Sequence, residues 1–313
     1  MTEHHRPQAP AEMTTESLLE RAIRAFESGA LRPDPKNVGG TLPRPTGLLD
    51  PVAPAPAALA PAAPAARPAP PAGRFGKVDR ERVRAAGLIV PDGGITGQLE
   101  EFRIIKRQLL VQVENLQRSG GGSAAQRILV TSALPGEGKS HCAANLALSI
   151  AAEKDCDVLL VDFDSAKNTV LGALGLANGP GLIDAVADPS LDVRSCVIAT
   201  DVPGLSVLPG GRSTTHDNEY MASARAVEVL DQLTAGNPRR VVLIDSPPTL
   251  AASLPVELAK LVGQTVVVVA AGTTNQSSIE DAVSLLSGCG NLQLLLNGIQ
   301  FSPSGRRYGT YYS

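Results

Sequence analysis

The chain has 313 residues, a formal net charge of −3 and a hydrophobic fraction of 43%. This length and apolar content are enough for one large folded domain with appended segments. The near-neutral charge argues against bulk binding to nucleic acid, which requires a basic surface. We therefore expect a globular protein with no nucleic-acid partner.

Targeting and membrane signals are absent from the sequence. The first ten residues lack the apolar segment of a secretory signal, and the longest strongly apolar run, at residues 266–271, is far shorter than the roughly 20 residues of a membrane-spanning helix. The cysteines are Cys142, Cys156, Cys196 and Cys289. They form no CxxC pair, which favours buried thiols in a reducing compartment over a zinc site. We expect a cytoplasmic protein that reaches the inner face of the membrane only through a partner.

Composition divides the chain into regions. Residues 1–42 predict an N-terminal segment with one short helix at residues 16–26, where apolar side chains recur at helical spacing. Residues 43–76 are rich in Pro and Ala and predict a disordered linker, because proline favours extended backbone and removes hydrogen-bond donors. Residues 77–303 predict the folded domain, and residues 304–313 a C-terminal tail.

The folded region predicts an alternation of strands and helices after an opening helix over residues 98–117. Strands are predicted at residues 127–132, 158–162, 206–208, 241–245, 265–271 and 293–297. Helices are predicted at residues 139–152, 219–233 and 277–287. Buried β-branched strands that alternate with helices are typical of an α/β fold, a mainly parallel sheet with helices on both faces.

A glycine-rich turn between the first strand and its helix carries the letters ALPGEGKS at residues 133–140. Glycines allow the backbone N–H groups to point at phosphate oxygens, and the start of the helix adds the positive end of its dipole. Lys139 can reach the β- and γ-phosphates, and the Ser140 hydroxyl can ligate Mg²⁺. An ordinary glycine-rich turn is the weaker alternative, because the strand, the helix and the GKS letters are all in register.

Two further strands end in aspartate. The strand at 158–162 ends in Asp162-Phe163-Asp164, and the strand at 241–245 ends in Asp245. Ligands of open α/β sheets bind at the carboxyl ends of the strands, where a carboxylate can hold Mg²⁺ or its waters beside phosphates. Each aspartate alone could simply cap the next helix; the three motifs together favour a nucleotide site.

With these motifs the chain resembles the bacterial tyrosine kinases, a branch of the MinD/ParA-like P-loop ATPases. It is most similar to the tyrosine autokinases of exopolysaccharide loci, particularly those of the exosortase/PEP-CTERM system. The letters SALPGEGKS at residues 132–140 match the family's Walker A motif, Asp162-Phe163-Asp164 its second Walker motif, and Asp245 in IDSPP its Walker B motif. LSVLPG at residues 205–210 and LLLN at residues 294–297 are also similar.

The resemblance implies ATP and Mg²⁺ as cofactors and a role for each site residue. Lys139 would stabilise the transferring phosphate, and Asp162 would be the base that activates the attacking hydroxyl. Magnesium would be held by Ser140, Asp164 and Asp245, the last through water. The nucleotide would contact Pro135, Gly136, Glu137, Gly138, Lys139, Ser140, His141 and Asn297, with Asn297 facing the adenine.

The resemblance also implies partners. Glu100, Arg103 and Lys106 are similar to the family's oligomerisation motif, and their helical spacing predicts one shared face; an ordinary solvated face is the alternative. The tail holds Tyr308, Tyr311 and Tyr312, three of the four tyrosines of the chain. In the family such a tail is the substrate of trans-autophosphorylation within a homo-oligomer. A membrane polysaccharide co-polymerase would supply the activating segment on a separate chain.

The leading hypothesis is an ATP-dependent protein-tyrosine autokinase that regulates exopolysaccharide biosynthesis or export. The alternatives are a MinD/ParA-like switch ATPase and a nucleotide-binding regulatory subunit of a polysaccharide co-polymerase with reduced catalysis. The second alternative rests on the residues after Asp164, where Lys167 and Asn168 replace the family's usual arginine and proline. The letters PGEGK, without the extra lysine of MinD and ParA, argue against the switch ATPase.

Overall fold

The computed structural model describes residues 73–164 and 169–298. Its strands are β1 (Arg74–Gly76), β2 (Arg127–Ser132), β3 (Asp157–Asp162), β4 (Ile198–Thr200), β5 (Leu205–Pro209), β6 (Arg240–Asp245), β7 (Gln264–Ala270) and β8 (Leu292–Asn297). They form one sheet in the order β1-β4-β5-β3-β6-β2-β7-β8. Only β4 and β5 pair antiparallel among the described strands. The predicted mainly parallel α/β sheet is confirmed.

Helices cover both faces of this sheet. They are α1 (Arg80–Ala85), α2 (Gly97–Arg118), α3 (Lys139–Ala151), α4 (Thr169–Leu174), α5 (Leu182–Ala187), α6 (Val193–Cys196), α7 (Asp217–Met221), α8 (Ala224–Thr234), α9 (Leu254–Ala259) and α10 (Gln276–Leu285). Side chains alternate along each strand, so Ile128 and Val130 of β2 pack in one hydrophobic cluster while Leu129 packs in the other. None of the described helices is long and apolar enough to cross a membrane.

The longest described helix, α2, packs on α3 at one face of the sheet. The Thr96 hydroxyl accepts a hydrogen bond from the Leu99 N–H and caps the start of α2. Phe102, Leu109 and Val113 recur at helical spacing and are buried. This face fixes α2 against the helix that begins at the glycine-rich turn.

The structure differs from the prediction where elements are short or interrupted. The predicted helix over 219–233 is two helices, because the Ser223 hydroxyl accepts from the Ala226 N–H and starts α8 anew. Strand β1 pairs with β4 and lies inside the predicted linker, so the fold begins earlier than residue 77. The predicted helix at residues 16–26 lies outside the described residues.

The strand order places three motif-bearing strands side by side. β6 pairs with β3 on one side and with β2 on the other, all in parallel. Their carboxyl ends therefore meet at one edge of the sheet, where the glycine-rich turn after β2 and the aspartates of β3 and β6 lie together.

Candidate active site

The glycine-rich loop, residues 133–138, joins β2 to α3. Gly136 and Gly138 have φ angles of 87° and 89°, which residues with a side chain rarely adopt. Gly138 is the N-cap of α3 and has no side chain to accept from the first N–H groups of that helix. These free N–H groups and the positive end of the helix dipole favour an anion. The backbone of the loop thus suits a phosphate group.

Lys139 and Ser140 open α3 and lie beside Asp164, which follows β3. The Lys139 ammonium forms an ion pair with Asp164 and donates to the Ser140 hydroxyl at 3.3 Å. The Lys139 and Asp164 side chains are only 12% and 10% exposed. The structure therefore brings three of the predicted site residues together from two separate segments.

Asp162 and Asp245 are the last residues of β3 and β6 and are paired in register. Both side chains are buried. The Leu171 N–H donates to Asp162 Oδ2 at 3.0 Å, whereas Asp162 Oδ1 and both oxygens of Asp245 have no hydrogen-bond partner among the described residues. Buried polar atoms are normally paired, so these three oxygens mark a place for a ligand, a metal or water.

Burial raises the pKa of both carboxyl groups. The pKa of Asp162 rises to about 6 through burial, an effect that the Leu171 N–H opposes and the negative charge of Asp164 reinforces. The pKa of Asp245 rises to about 7 through burial, opposed by the Lys139 ammonium. The Ser140 hydroxyl also favours the ionised form of Asp245 without meeting the geometry of a full hydrogen bond. Both groups titrate within reach of neutral pH.

The side-chain oxygens at this site suit a magnesium ion that binds together with a nucleotide. No group of three or more His, Cys, Asp or Glu side chains converges on a metal site within residues 73–164 and 169–298. Mg²⁺ usually keeps several waters and binds through one or two carboxylates plus substrate phosphates. The Ser140 hydroxyl with the carboxylates of Asp164 and Asp245 fits such a partial ligand set, because the Asp245 oxygens lack partners.

A cavity of about 520 Å³ opens beside the loop. Pro135 and Gly136 of the loop line it together with Lys139 and Asp164. The rest of the wall is partly apolar and includes Phe163, Pro247 and Leu254. The cavity therefore combines the phosphate end of the site with an apolar surface.

His141, predicted to contact the nucleotide, turns its side chain away from the loop. Its ring lies 3.3 Å from the Gln98 amide nitrogen and bonds to the backbone of Ala86. Burial lowers the pKa of this imidazole. The side chain thus links α3 to the first turn of α2 and to Ala86 before it. A contact of the His141 backbone with the nucleotide stays a prediction.

Asn297, the last residue of β8, packs directly on the glycine-rich loop. Its Nδ2 donates to the Glu137 carbonyl at 3.0 Å. A Cβ on Gly138 would lie only 2.2 Å from this Nδ2, so any side chain at position 138 would displace the Asn297 amide. The proposed contact of Asn297 with adenine stays a prediction.

The oligomerisation motif on α2 is only partly on the surface. Arg103 is exposed and forms an ion pair with Glu100. Lys106 is buried, donates to the Ser149 carbonyl at 2.7 Å and pairs with Glu153 at 3.0 Å. Residues three apart in a helix differ by about 60° in direction around the helix axis. Residues 100 and 106, six apart, therefore point roughly 120° away from each other. The predicted shared face is therefore wrong for Lys106, which connects α2 to α3.

Four predicted features remain: three tyrosines and one segment lie outside the described residues. Tyr308, Tyr311 and Tyr312 lie outside the described residues, as do residues 165–168. Thr274, which no sequence motif marks, donates its hydroxyl proton to the buried Glu137 carboxylate. No sequence signal could find this contact, because the two residues are 137 positions apart.

Comparison with known proteins shows similarity to bacterial tyrosine-protein kinases. No protein-family model matches the chain. The chain is similar to tyrosine-protein kinase YwqD of Bacillus subtilis, with 30% identity over 214 residues that cover 68% of this chain and 85% of the relative. It is 28% identical over 180 residues to tyrosine-protein kinase ptk of Acinetobacter johnsonii, covering 57% of this chain and 24% of that relative. The chain thus spans most of the first relative and about a quarter of the second.

Solved structures share the fold. The BceF tyrosine kinase domain has 27% identity and a TM-score of 0.54, over 64% of this chain and 77% of that one. The chimerical protein CapA2B2 has 26% identity and a TM-score of 0.56, over 71% of this chain and 92% of that one.

Proposed function

Since the chain belongs to the bacterial tyrosine-protein kinase family, we propose that it is an ATP-dependent protein-tyrosine autokinase working at the site around Lys139. The observation that carries this proposal is the meeting of the glycine-rich loop, the Lys139–Asp164 ion pair and the register-paired Asp162 and Asp245 at one edge of the sheet. Phosphoryl transfer depends mainly on positioning and charge neutralisation, and this cluster supplies both.

The proposed reaction uses the residues as follows. The loop N–H groups bind the ATP phosphates, and Lys139 leaves Asp164 for the γ-phosphate. The tyrosine oxygen bonds to the γ-phosphorus as the bond to the β–γ bridging oxygen breaks, and ADP leaves. Asp162 Oδ1 receives the phenol proton; its raised pKa of about 6 keeps the carboxylate ionised at neutral pH yet basic enough to act.

Magnesium fits this site as part of the nucleotide complex. Ser140 and Asp164 would bind it directly, and Asp245 through water. When bound, Mg²⁺ neutralises charge on the phosphates. Ionisation of Asp245 becomes favourable beside the cation, because an opposite charge offsets the burial that raises its pKa.

The proposed acceptors are Tyr308, Tyr311 and Tyr312 of a second copy. To test transfer between copies, we would mix wild-type catalytic chain truncated after residue 303 with full-length Lys139→Met chain. Phosphotyrosine on the inactive full-length chain is expected. Its absence, with strong labelling of full-length wild type alone, would show that transfer occurs within one chain.

Family membership supports a proposal for the cellular setting. We place the chain in the cytoplasm, in regulation of exopolysaccharide biosynthesis or export, with a membrane polysaccharide co-polymerase as activator. The exposed side of α2 offers a surface for self-association, because Arg103 is accompanied there by Ile104 and Val111, which are 43% and 48% exposed. Adding the cytoplasmic segment of a polysaccharide co-polymerase from the same organism should raise the autophosphorylation rate. An unchanged rate would remove that partner from the proposal.

One observation favours a second function, a nucleotide-binding regulatory subunit with reduced catalysis. The Asp162 carboxylate already accepts the Leu171 N–H of α4, as a purely structural helix-capping aspartate would. Asp162→Asn separates the two functions: the variant loses phosphotyrosine if the carboxylate is the base, and keeps polymer production in cells if the chain only binds nucleotide.

A further inference from the structure

Glu137 lies between Gly136 and Gly138 of the glycine-rich loop, and its side chain is turned inward. The residue is only 4% exposed, whereas its neighbours Pro135 and Gly136 are exposed. Its Oε2 accepts a hydrogen bond from the Leu134 N–H at 2.7 Å. A buried carboxylate is costly unless hydrogen-bonded, so the inward position depends on the contacts that this carboxylate makes.

The second contact comes from the loop after β7. The Thr274 hydroxyl donates to Glu137 Oε1. The same hydroxyl oxygen accepts from the Ala270 N–H at 3.1 Å, which leaves its single proton free to point at the carboxylate. Since β7 is the direct neighbour of β2, the sheet fixes the distance between the two loops.

The third contact holds the backbone of the same residue. Asn297 at the end of β8 donates to the Glu137 carbonyl. Glu137 is thus held by its own loop, by the loop after β7 and by β8. None of these contacts involves the Lys139 ammonium or the carboxylates of Asp162 and Asp245.

We propose that Glu137 and Thr274 are positioning residues, which hold the phosphate loop in its binding shape before the nucleotide arrives. The inference rests on the proposed nucleotide site. A preformed loop presents its N–H groups without a cost of reorganisation. The Glu137 carboxylate acts through its shape and its two acceptor oxygens. Its negative charge does not help, because it would repel phosphate.

The test measures the dissociation constant of Mg-ATP by calorimetry on the full chain. Thr274→Val removes the hydroxyl at nearly constant shape and is expected to weaken binding about tenfold, the size of one hydrogen bond to a charged group. Thr274→Ser keeps the hydroxyl and should bind within about twofold of wild type. The matched control is Thr273→Val, an exposed neighbour in the same loop.

Two variants of Glu137 separate shape from charge. Glu137→Gln keeps an acceptor for Leu134 and a polar contact to Thr274, and should bind at least as tightly as wild type. Glu137→Ala should weaken binding about tenfold or more. Adding Thr274→Val should cause no further loss of affinity, because the Glu137–Thr274 contact is already broken and the Ala270 N–H, which Thr274 also bonds, lies outside the phosphate loop. Thermal unfolding without nucleotide shows whether the affinities were measured on folded protein.

The inference is overturned if Thr274→Val binds like the Thr273→Val control, if serine fails to restore affinity, or if the losses in the double variant multiply. Because the test measures nucleotide affinity, its outcome is independent of whether the chain phosphorylates tyrosine. A wild-type chain that binds Mg-ATP but forms no phosphotyrosine would contradict autokinase activity and leave the positioning role of Glu137 intact.

Discussion

Replacing Asp245 by asparagine is expected to stabilise the nucleotide-free protein while weakening its binding of Mg-ATP. The carboxyl group is buried, neither oxygen has a hydrogen-bond partner among the described residues, and its pKa rises from 3.8 to about 7. Asparagine has nearly the same shape and carries no charge, so it resembles the protonated aspartate at every pH.

The size and pH range of the gain follow from the pKa. The folded protein holds this proton more tightly than the unfolded chain, so ionisation disfavours the folded state as pH rises from about 4 to about 7. About three pKa units at 1.36 kcal/mol each correspond to about 4 kcal/mol above pH 7. At pH 5 the ionisation cost is only about 1.5 kcal/mol. The free energy of unfolding of Asp245→Asn relative to wild type should therefore increase by about 2.5 kcal/mol between pH 5 and pH 8.

Urea unfolding followed by circular dichroism at pH 5 and pH 8, without nucleotide, measures this difference. The control is Asp281→Asn, on the exposed surface of α10, which should shift stability by no more than about 0.5 kcal/mol at either pH. An Asp245→Asn variant with the same stability change at both pH values, or one less stable than wild type at pH 8, would refute the reasoning that burial controls this carboxyl group.

Two further predictions concern the base and the packing of α2. At Mg-ATP well below saturation, where the rate reports the free enzyme, phosphotyrosine formation should fall at least about tenfold from pH 7 to pH 5, because Asp162 with a pKa of about 6 must be ionised to accept the phenol proton. A profile that is flat between pH 5 and pH 8 would contradict this role. Lys106→Met should lower the free energy of unfolding by about 1–3 kcal/mol, because the Ser149 carbonyl loses its hydrogen-bond donor. Arg103→Ala breaks only the exposed ion pair with Glu100 and should lower it by at most about 1 kcal/mol. Equal urea midpoints for the two variants would show that the burial of Lys106 carries no energy.

The sequence predicts the centre of the sheet better than its edge. β2, β3, β6 and β7 are continuous apolar runs, buried along nearly their full length, and such runs are strong signals. β1 and β4 have three residues each, too few for a periodic pattern. Their pairing depends on residues more than a hundred positions apart, which local propensity cannot show.

Two details of the helices carry a local sequence signal: the break between α7 and α8, and the buried side of α2. Ser223 is a recognisable N-cap residue, so the break between α7 and α8 has a local signal that the apolar periodicity hides. Lys106 falls on the buried side with Phe102 and Leu109. The spacing of those apolar residues predicts this side more reliably than the charge pattern does.

The sequence motifs predict which residues form the site, but not their contacts or their pKa values. Gly138, Lys139 and Asp245 follow from the strand-loop-helix pattern and the strand ends. Sequence spacing gives no information on the pairing of Lys139 with Asp164, on the raised pKa values, or on the contact of Glu137 with Thr274, because these depend on burial and on neighbours brought close by the sheet.

The most direct measurement is phosphotyrosine mass spectrometry after incubation with Mg-ATP, on wild type beside Lys139→Met and Asp162→Asn. Phosphate on Tyr308, Tyr311 or Tyr312 of the wild type, absent from both variants, is the predicted result for an autokinase that uses this site. Wild-type protein that binds ATP, with its membrane activator segment present, and forms no phosphotyrosine would contradict it.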